Sequence, residues 1–179
     1  LLDFMDANEP VVPYLDLPFQ HSDPDLLKAM RREVGKKTPR DLMTMIRNRR
    51  REIHVRTSLM VGFPGETEEM FEGLCDFVRM AEFDSMGVFT FSPEKGTRAA
   101  QLSPQVESAV ARERRKKLMA IQAGISKRKN QRMVGRVLPV LIEGESSETD
   151  LLLAGRTATM APDVDGKVLI NEGEGAVGE

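Results

Sequence analysis

The stretch RTSLMVGFPGETEE, residues 56–69, decides the fold. Its first half continues an upstream run of β-branched and apolar residues, so residues 53–61 read as a buried strand. Gly62-Phe63-Pro64-Gly65 breaks that strand. Thr67 then caps a helix, with Glu68 and Glu69 in the first turn, where acids favour the positive end of the helix dipole. Met70, Phe71, Leu74, Cys75, Phe77 and Val78 recur at helical spacing and give this helix a buried face. A strand that passes through a glycine turn into an amphipathic helix is half of a βαβ unit.

The same order recurs on both sides. Upstream, residues 11–19 read as a strand that ends at Gln20-His21-Ser22, and residues 25–32 as a helical segment. Thr38 and Pro39 start another helix, whose stripe is Leu42, Met43, Met45 and Ile46. It ends in Arg49-Arg50-Arg51, expected to be a solvated helix end. Downstream, residues 86–91 form a third strand, and residues 105–134 a long helix stopped by Gly135. Strand and helix in alternation mean parallel strands with crossover helices. Three such strands are too few for a closed barrel and fit part of one.

After Gly135 the pattern becomes all-β. Residues 137–142, 151–156 and 167–171 read as strands, with a turn at residues 162–166. Charge changes sign at the same place. Residues 1–135 hold 23 Lys/Arg against 19 Asp/Glu, whereas residues 136–179 hold three against nine. The expected organisation is therefore an α/β unit over residues 1–135 and an all-β unit over residues 136–179.

With 40% hydrophobic and 30% charged residues, the chain has the composition of a globular protein. No apolar run approaches the ~20 residues of a membrane span and no signal-peptide pattern opens the chain, so a cytoplasmic protein without a membrane partner is expected. The single cysteine, Cys75, excludes an internal disulfide framework and a self-contained thiolate metal site, and reads as a core residue. The opening Leu1, the early run of Val11-Val12-Pro13 into a strand, and the close at residues 175–179 without a final strand read as a piece of a longer protein.

Three motifs are more specific. YLDLPFQH at residues 14–21, the 56–69 stretch, and FDSMGVFTFSPEKGT at residues 83–97 resemble, in order and at compatible spacing, segments of the radical S-adenosylmethionine (SAM) methylthiotransferases. The acidic stretch of residues 143–150, Gly155-Arg156, and APDVDG at residues 161–166 resemble the TRAM domain of these enzymes, a small OB-like barrel, in the branch that modifies a ribosomal protein. The resemblance covers nearly the whole chain; the first dozen residues and the 33–37 linker are its least similar parts. It implies part of a TIM-like radical SAM barrel followed by an incomplete TRAM domain. It also implies an enzyme that adds a methylthio group to the β-carbon of an aspartate in small-subunit ribosomal protein S twelve.

The implied cofactors are SAM and two 4Fe–4S clusters. Their cysteines, including a C-x-x-x-C-x-x-C loop, lie outside this chain, so the chain alone is expected to be inactive. Two other readings stand beside this one. A sister branch of the family methylthiolates adenosine in tRNA. A non-catalytic RNA-binding module would use the basic helix of residues 112–132, with Leu118, Met119, Ile121 and Ile125 as its packing face. The barrel motifs weigh against that module, and the helix reads as a solvated one outside the barrel.

Chemistry in such barrels sits at the carboxyl ends of the strands. By resemblance, the adenosyl part of SAM rests against Gly62, Phe63, Pro64, Gly65 and Glu66, with Ser58 below. A glycine turn lets backbone approach a ligand, and room for that ligand is expected at Gly62. The broader radical SAM pattern G-x-I-x-G-x-x-E is met at Gly62 only: Ser58 replaces the first glycine, Met60 the isoleucine, and the acid comes one place late at Glu66. A tight strand-to-helix turn without ligand is the competing reading. Gln20 and His21, and Phe91 and Ser92, end the neighbouring strands and are expected to line the same pocket, unless His21 and Phe91 are structural. No catalytic residue is assigned. Glu145, Glu148 and Asp150 are expected to meet the basic ribosomal protein.

Overall fold

A computed structural model of the chain describes residues 1–32, 35–173 and 175–178. The readings of the 33–37 linker and of the last residues fall in part on Glu33, Val34, Glu174 and Glu179, which lie outside the described residues. The first unit is built from α1 (Leu2–Ala7), β1 (Tyr14–Asp16), α2 (Pro24–Ala29), α3 (Pro39–Arg47), β2 (His54–Val61), α4 (Glu68–Ala81), β3 (Ser85–Thr90) and α5 (Ser108–Met133). Its strands form a parallel sheet in the order β1-β2-β3, with Tyr14 opposite His54 and Arg56 opposite Ser85. The second unit holds β4 (Leu141–Ser146), β5 (Thr149–Arg156) and β6 (Val168–Ile170), antiparallel and in sequence order. The architecture is thus a partial α/β barrel followed by a small all-β unit.

The parallel sheet has one covered face and one open face. Along β2, Val55, Thr57, Leu59 and Val61 are buried, while His54, Arg56, Ser58 and Met60 are half-buried on the other side. This corrects the expectation of a strand buried throughout. The covered face meets Phe71, Leu74, Cys75, Phe77 and Val78 of α4 and Leu118 and Ile125 of α5. Phe19, Phe77 and Phe83 close the core edge to face, with Phe77 centred 5.6 Å from each of the other two rings. Met119, expected in the packing stripe, is 39% exposed.

β1 is shorter than the 11–19 stretch suggests. Pro13 and Pro18 have no N–H to give to a ladder. Pairing survives beside them through Leu17 N–H to Arg56 C=O and returns at Gln20, which bridges to Leu59. The helix starts follow local chemistry: Thr38 and Asp41 form a reciprocal capping box on α3, and Thr67 accepts the Met70 N–H on α4.

The run at Arg49-Arg50-Arg51 is not a solvated end. Arg49 pairs with Asp3 and Asp6, and Arg51 donates to the carbonyls of Met5, Asn8 and Glu9. These arginines secure α1, and only Arg50 of the three is exposed. In the second unit the first strand begins at Leu141 rather than residue 137. Glu145 therefore lies on β4 and Asp150 on β5, with Glu148 in the hairpin turn between them, rather than all on one loop.

Candidate functional site

The carboxyl ends of the three parallel strands converge on the loop after β2. Val61 leads into Gly62, whose φ of +78° favours glycine. A Cβ built there would stand 2.5 Å from the Cβ of Ala111 in the first turn of α5. The expected ligand space at Gly62 is therefore corrected: glycine is required there because a helix packs against it. The open position is Gly65, with φ +88° and nothing within 4 Å of a built Cβ.

Glu66 holds the loop from inside. One carboxylate oxygen accepts the Gly62 N–H and Arg114 Nη1, the latter at 2.9 Å, and the other lies 3.3 Å from His21 Nε2. Arg114 Nη1 also donates to the Glu66 carbonyl at 3.1 Å, and Nη2 to Glu68 at 3.0 Å. The guanidinium stands 5.2 Å from the centre of the Phe71 ring. His21 Nδ1 accepts the Asp23 N–H, so its ring proton sits on Nε2, directed at Glu66. The side chains of His21 and Glu66 are wholly enclosed.

The network ties the end of β1, the turn after β2, and the starts of α2, α4 and α5 into one piece. A buried charge pair of this kind leaves an uncompensated ion if one partner is removed, at a cost of about 3–5 kcal/mol.

The expected pocket residues thus separate into two groups. Gln20 (φ +67°), Ser58, Gly65 and Phe91 are half-buried, and Ser92 is exposed. Gln20 is laid beside β2 by its N–H to Ser58 C=O and by the Met60 N–H to its own carbonyl. The buried Phe63 ring meets Phe91 at 5.2 Å, edge to face, and Pro64 is buried behind it. His21 and Glu66, also expected to line the pocket, form the other group: their side chains are buried and directed into the network. Glu145, Glu148 and Asp150 are exposed and carry no ion pair among the described residues.

Arg114 was not a candidate from sequence, because it sits in a run of basic residues. Its signal is spacing: Ala111, Arg114, Leu118, Gln122 and Ile125 recur every three or four residues, and all are buried.

The open glycine at Gly65 beside the Phe63–Phe91 pair fits a cofactor with an aromatic ring and polar edges, as SAM has. An iron–sulfur cluster is not fitted by these residues. Cys75 is fully enclosed, and burial, with Glu72 nearby, pushes its thiol up to about 11. Among the described residues no group of three His, Cys, Asp or Glu could hold a metal ion. Nor is any helix among them long and apolar enough to cross a membrane.

Residues 1–78 match the radical SAM superfamily and residues 134–179 match the TRAM domain. The chain thus joins a segment similar to the radical SAM superfamily to a segment similar to the TRAM domain. Over all 179 residues it is 50% identical to the ribosomal protein uS12 methylthiotransferase RimO of Syntrophobacter fumaroxidans, covering 40% of that protein. It is 48% identical over 174 residues to the RimO of Anaeromyxobacter sp. (strain K), covering 37%, and 49% identical over 173 residues to that of Geobacter sulfurreducens, covering 39%. The chain spans about two-fifths of the length of the curated relatives it matches.

Proposed function

We propose that this chain is part of a radical SAM methylthiotransferase that adds a methylthio group to the β-carbon of an aspartate in ribosomal protein uS12. The observation that carries the reading is the loop of residues 62–66, set at the carboxyl ends of parallel strands and braced from inside by Glu66, in a chain about half identical to RimO proteins along its whole length. When bound, SAM supplies the radical chemistry needed to functionalise an unactivated carbon. The residues of this chain bind and orient it. Gly65 offers open backbone, Phe63 and Phe91 an aromatic edge, and Gln20 and Ser58 polar groups on the adjoining strands. His21, Glu66 and Arg114 keep that wall in place without touching the cofactor.

The 4Fe–4S clusters and their cysteines belong, in this reading, to parts of the enzyme outside the chain, and the reaction is placed in the cytoplasm. The domains divide at Gly135, directly after α5, where φ turns to +81°. The exposed acids Glu145, Glu148 and Asp150 face the basic protein substrate rather than a phosphate backbone, which favours uS12 over tRNA.

The test is SAM cleavage by the cluster-loaded enzyme that carries this chain, with and without Gly65→Ala. A raised KM for SAM in a variant with wild-type cluster content supports the reading. An unchanged KM returns the loop to a turn without ligand.

A further inference from the structure

Asp165 lies in the turn between β5 and β6, yet its side chain is only 3% exposed. The turn is closed on itself: the Asp165 N–H donates to the Ala161 carbonyl at 3.2 Å, and the Ala161 N–H to Asp165 Oδ2 at 2.9 Å. The groups that cover the carboxylate belong to the other unit. The Tyr14 hydroxyl donates to Oδ2 at 2.8 Å, and Arg56 Nε stands 3.9 Å from Oδ1. Burial pushes the Asp165 carboxyl up, but the Ala161 amide and the Ser85 and Tyr14 hydroxyls together hold it below its ordinary value.

Arg56 is opposite Ser85, and Tyr14 is opposite His54 two residues earlier on β2, so Tyr14, Arg56 and Ser85 lie at the amino-terminal end of the open sheet face, the end opposite the 62–66 loop. Tyr14 is stacked on His54, with ring centres 5.6 Å apart, and this firms the receiving surface. No described strand of the second unit packs broadly on a strand or helix of the first. Apart from the local contact of the Arg136 side chain with Met133 beside the junction itself, Tyr14 and Arg56 of the first unit meet the second at Asp165.

A carboxylate taken out of water is stable only while its partners are in place, so the junction is docked or open rather than gradually loosened. We propose that Asp165 is a positioning residue that keys the TRAM segment onto the open face of the barrel sheet through Tyr14 and Arg56. The turn of residues 161–166 then forms the floor of that face and sets the direction in which Glu145, Glu148 and Asp150 point. That last consequence, for presentation of the protein substrate, rests on the function proposed above.

The test has two arms. In this chain, spin labels at Asp76→Cys and Ser147→Cys report the distance between the units, because both positions are exposed. The expected result is one narrow distance distribution that broadens in Asp165→Asn and in Tyr14→Phe, and broadens no further in the double variant. Circular dichroism identifies variants that keep their secondary structure, and Tyr14→Phe is the milder of the two. A distribution that stays narrow in both folded variants overturns the anchor.

In the cluster-loaded enzyme, Asp165→Asn should raise KM for the ribosomal protein several-fold while kcat and SAM cleavage hold. Broadened distances with an unchanged KM overturn the positioning role. An enzyme with no methylthiolation to lose would instead speak against the proposed function, since the distance change stands without it.

Discussion

Arg114 reaches back 48 residues to Glu66 and donates through one guanidinium nitrogen to both its main-chain and side-chain oxygens. The start of α5 is thereby locked to the turn after β2. Both side chains are almost entirely buried, at 8% and 0% exposure, so the pair is not a surface ion pair of negligible worth.

Replacing Arg114 should therefore cost far more than replacing its basic neighbours. Arg114→Met is expected to lower stability by about 3–5 kcal/mol, because the enclosed Glu66 loses its counter-ion. Arg112→Met, at an exposed position with no ion pair among the described residues, should change it by less than about 0.5 kcal/mol. Urea denaturation of both variants checks this. Equal, small effects would mean that the network is not held by charge.

Gly62 offers a steric test of the same junction. Gly62→Ala places a carbon against Ala111 Cβ and should destabilise the chain by about 1–3 kcal/mol. Adding Ala111→Gly should restore part of that loss, by removing the atom that is struck. The backbone strain of a positive φ would remain. Absence of any restoration in the double variant would assign the whole effect to strain.

Local chemistry made the helix starts legible. Thr38 with Asp41, and Thr67 ahead of Glu68, satisfy the first amides of their helices with residues three positions apart, so short windows of sequence suffice. The buried stripe of α4 followed from its period, and the carboxyl-end placement of residues 62–66 followed from strand, turn and helix in order. What was not legible depends on distant partners. α1 is a six-residue helix secured by Arg49 and Arg51, more than forty residues away, and nothing within it announces that support. Arg114 looks like any member of a basic helix until Glu66 is brought beneath it. His21 could be named as a strand-end residue, but its inward orientation follows from Asp23 and Glu66 together.

His54 and Asp84 both contribute to the acid side of the stability profile. Burial lowers the pKa of His54 against the opposing pull of Asp84 and Asp165, so the unfolded chain takes up this proton first. The stability from keeping His54 neutral is present above about 6.5 and is lost as pH falls below it. Burial pushes Asp84 up, but Lys129, the Val55 N–H and His54 hold it below 3.8 overall, so its contribution is present above 3.8 and is lost as pH falls further. Thermal melts from about pH 7.5 to 5 should show a falling Tm that flattens in His54→Gln. A Tm profile with the same slope in that variant would remove His54 from the account.

Cys75 should behave as a core atom. With its thiol pushed up to about 11, about one molecule in a thousand is thiolate at pH 8, and burial blocks access as well. Labelling by a thiol reagent should be negligible in the folded chain and complete in denaturant. Anaerobic reconstitution of the chain should yield no stoichiometric iron–sulfur cluster. Rapid labelling of folded protein, or one cluster per chain, would contradict this placement.

The most direct measurement for the central claim is the mass of the product. The enzyme that carries this chain is loaded anaerobically with its clusters and SAM, then offered ribosomal protein uS12 and tRNA in parallel. The account predicts a methylthio addition on one aspartate of uS12 and none on tRNA, with the yield lowered by changing Glu145, Glu148 and Asp150 to Lys. Methylthiolated adenosine in the tRNA, with uS12 unmodified, would contradict it.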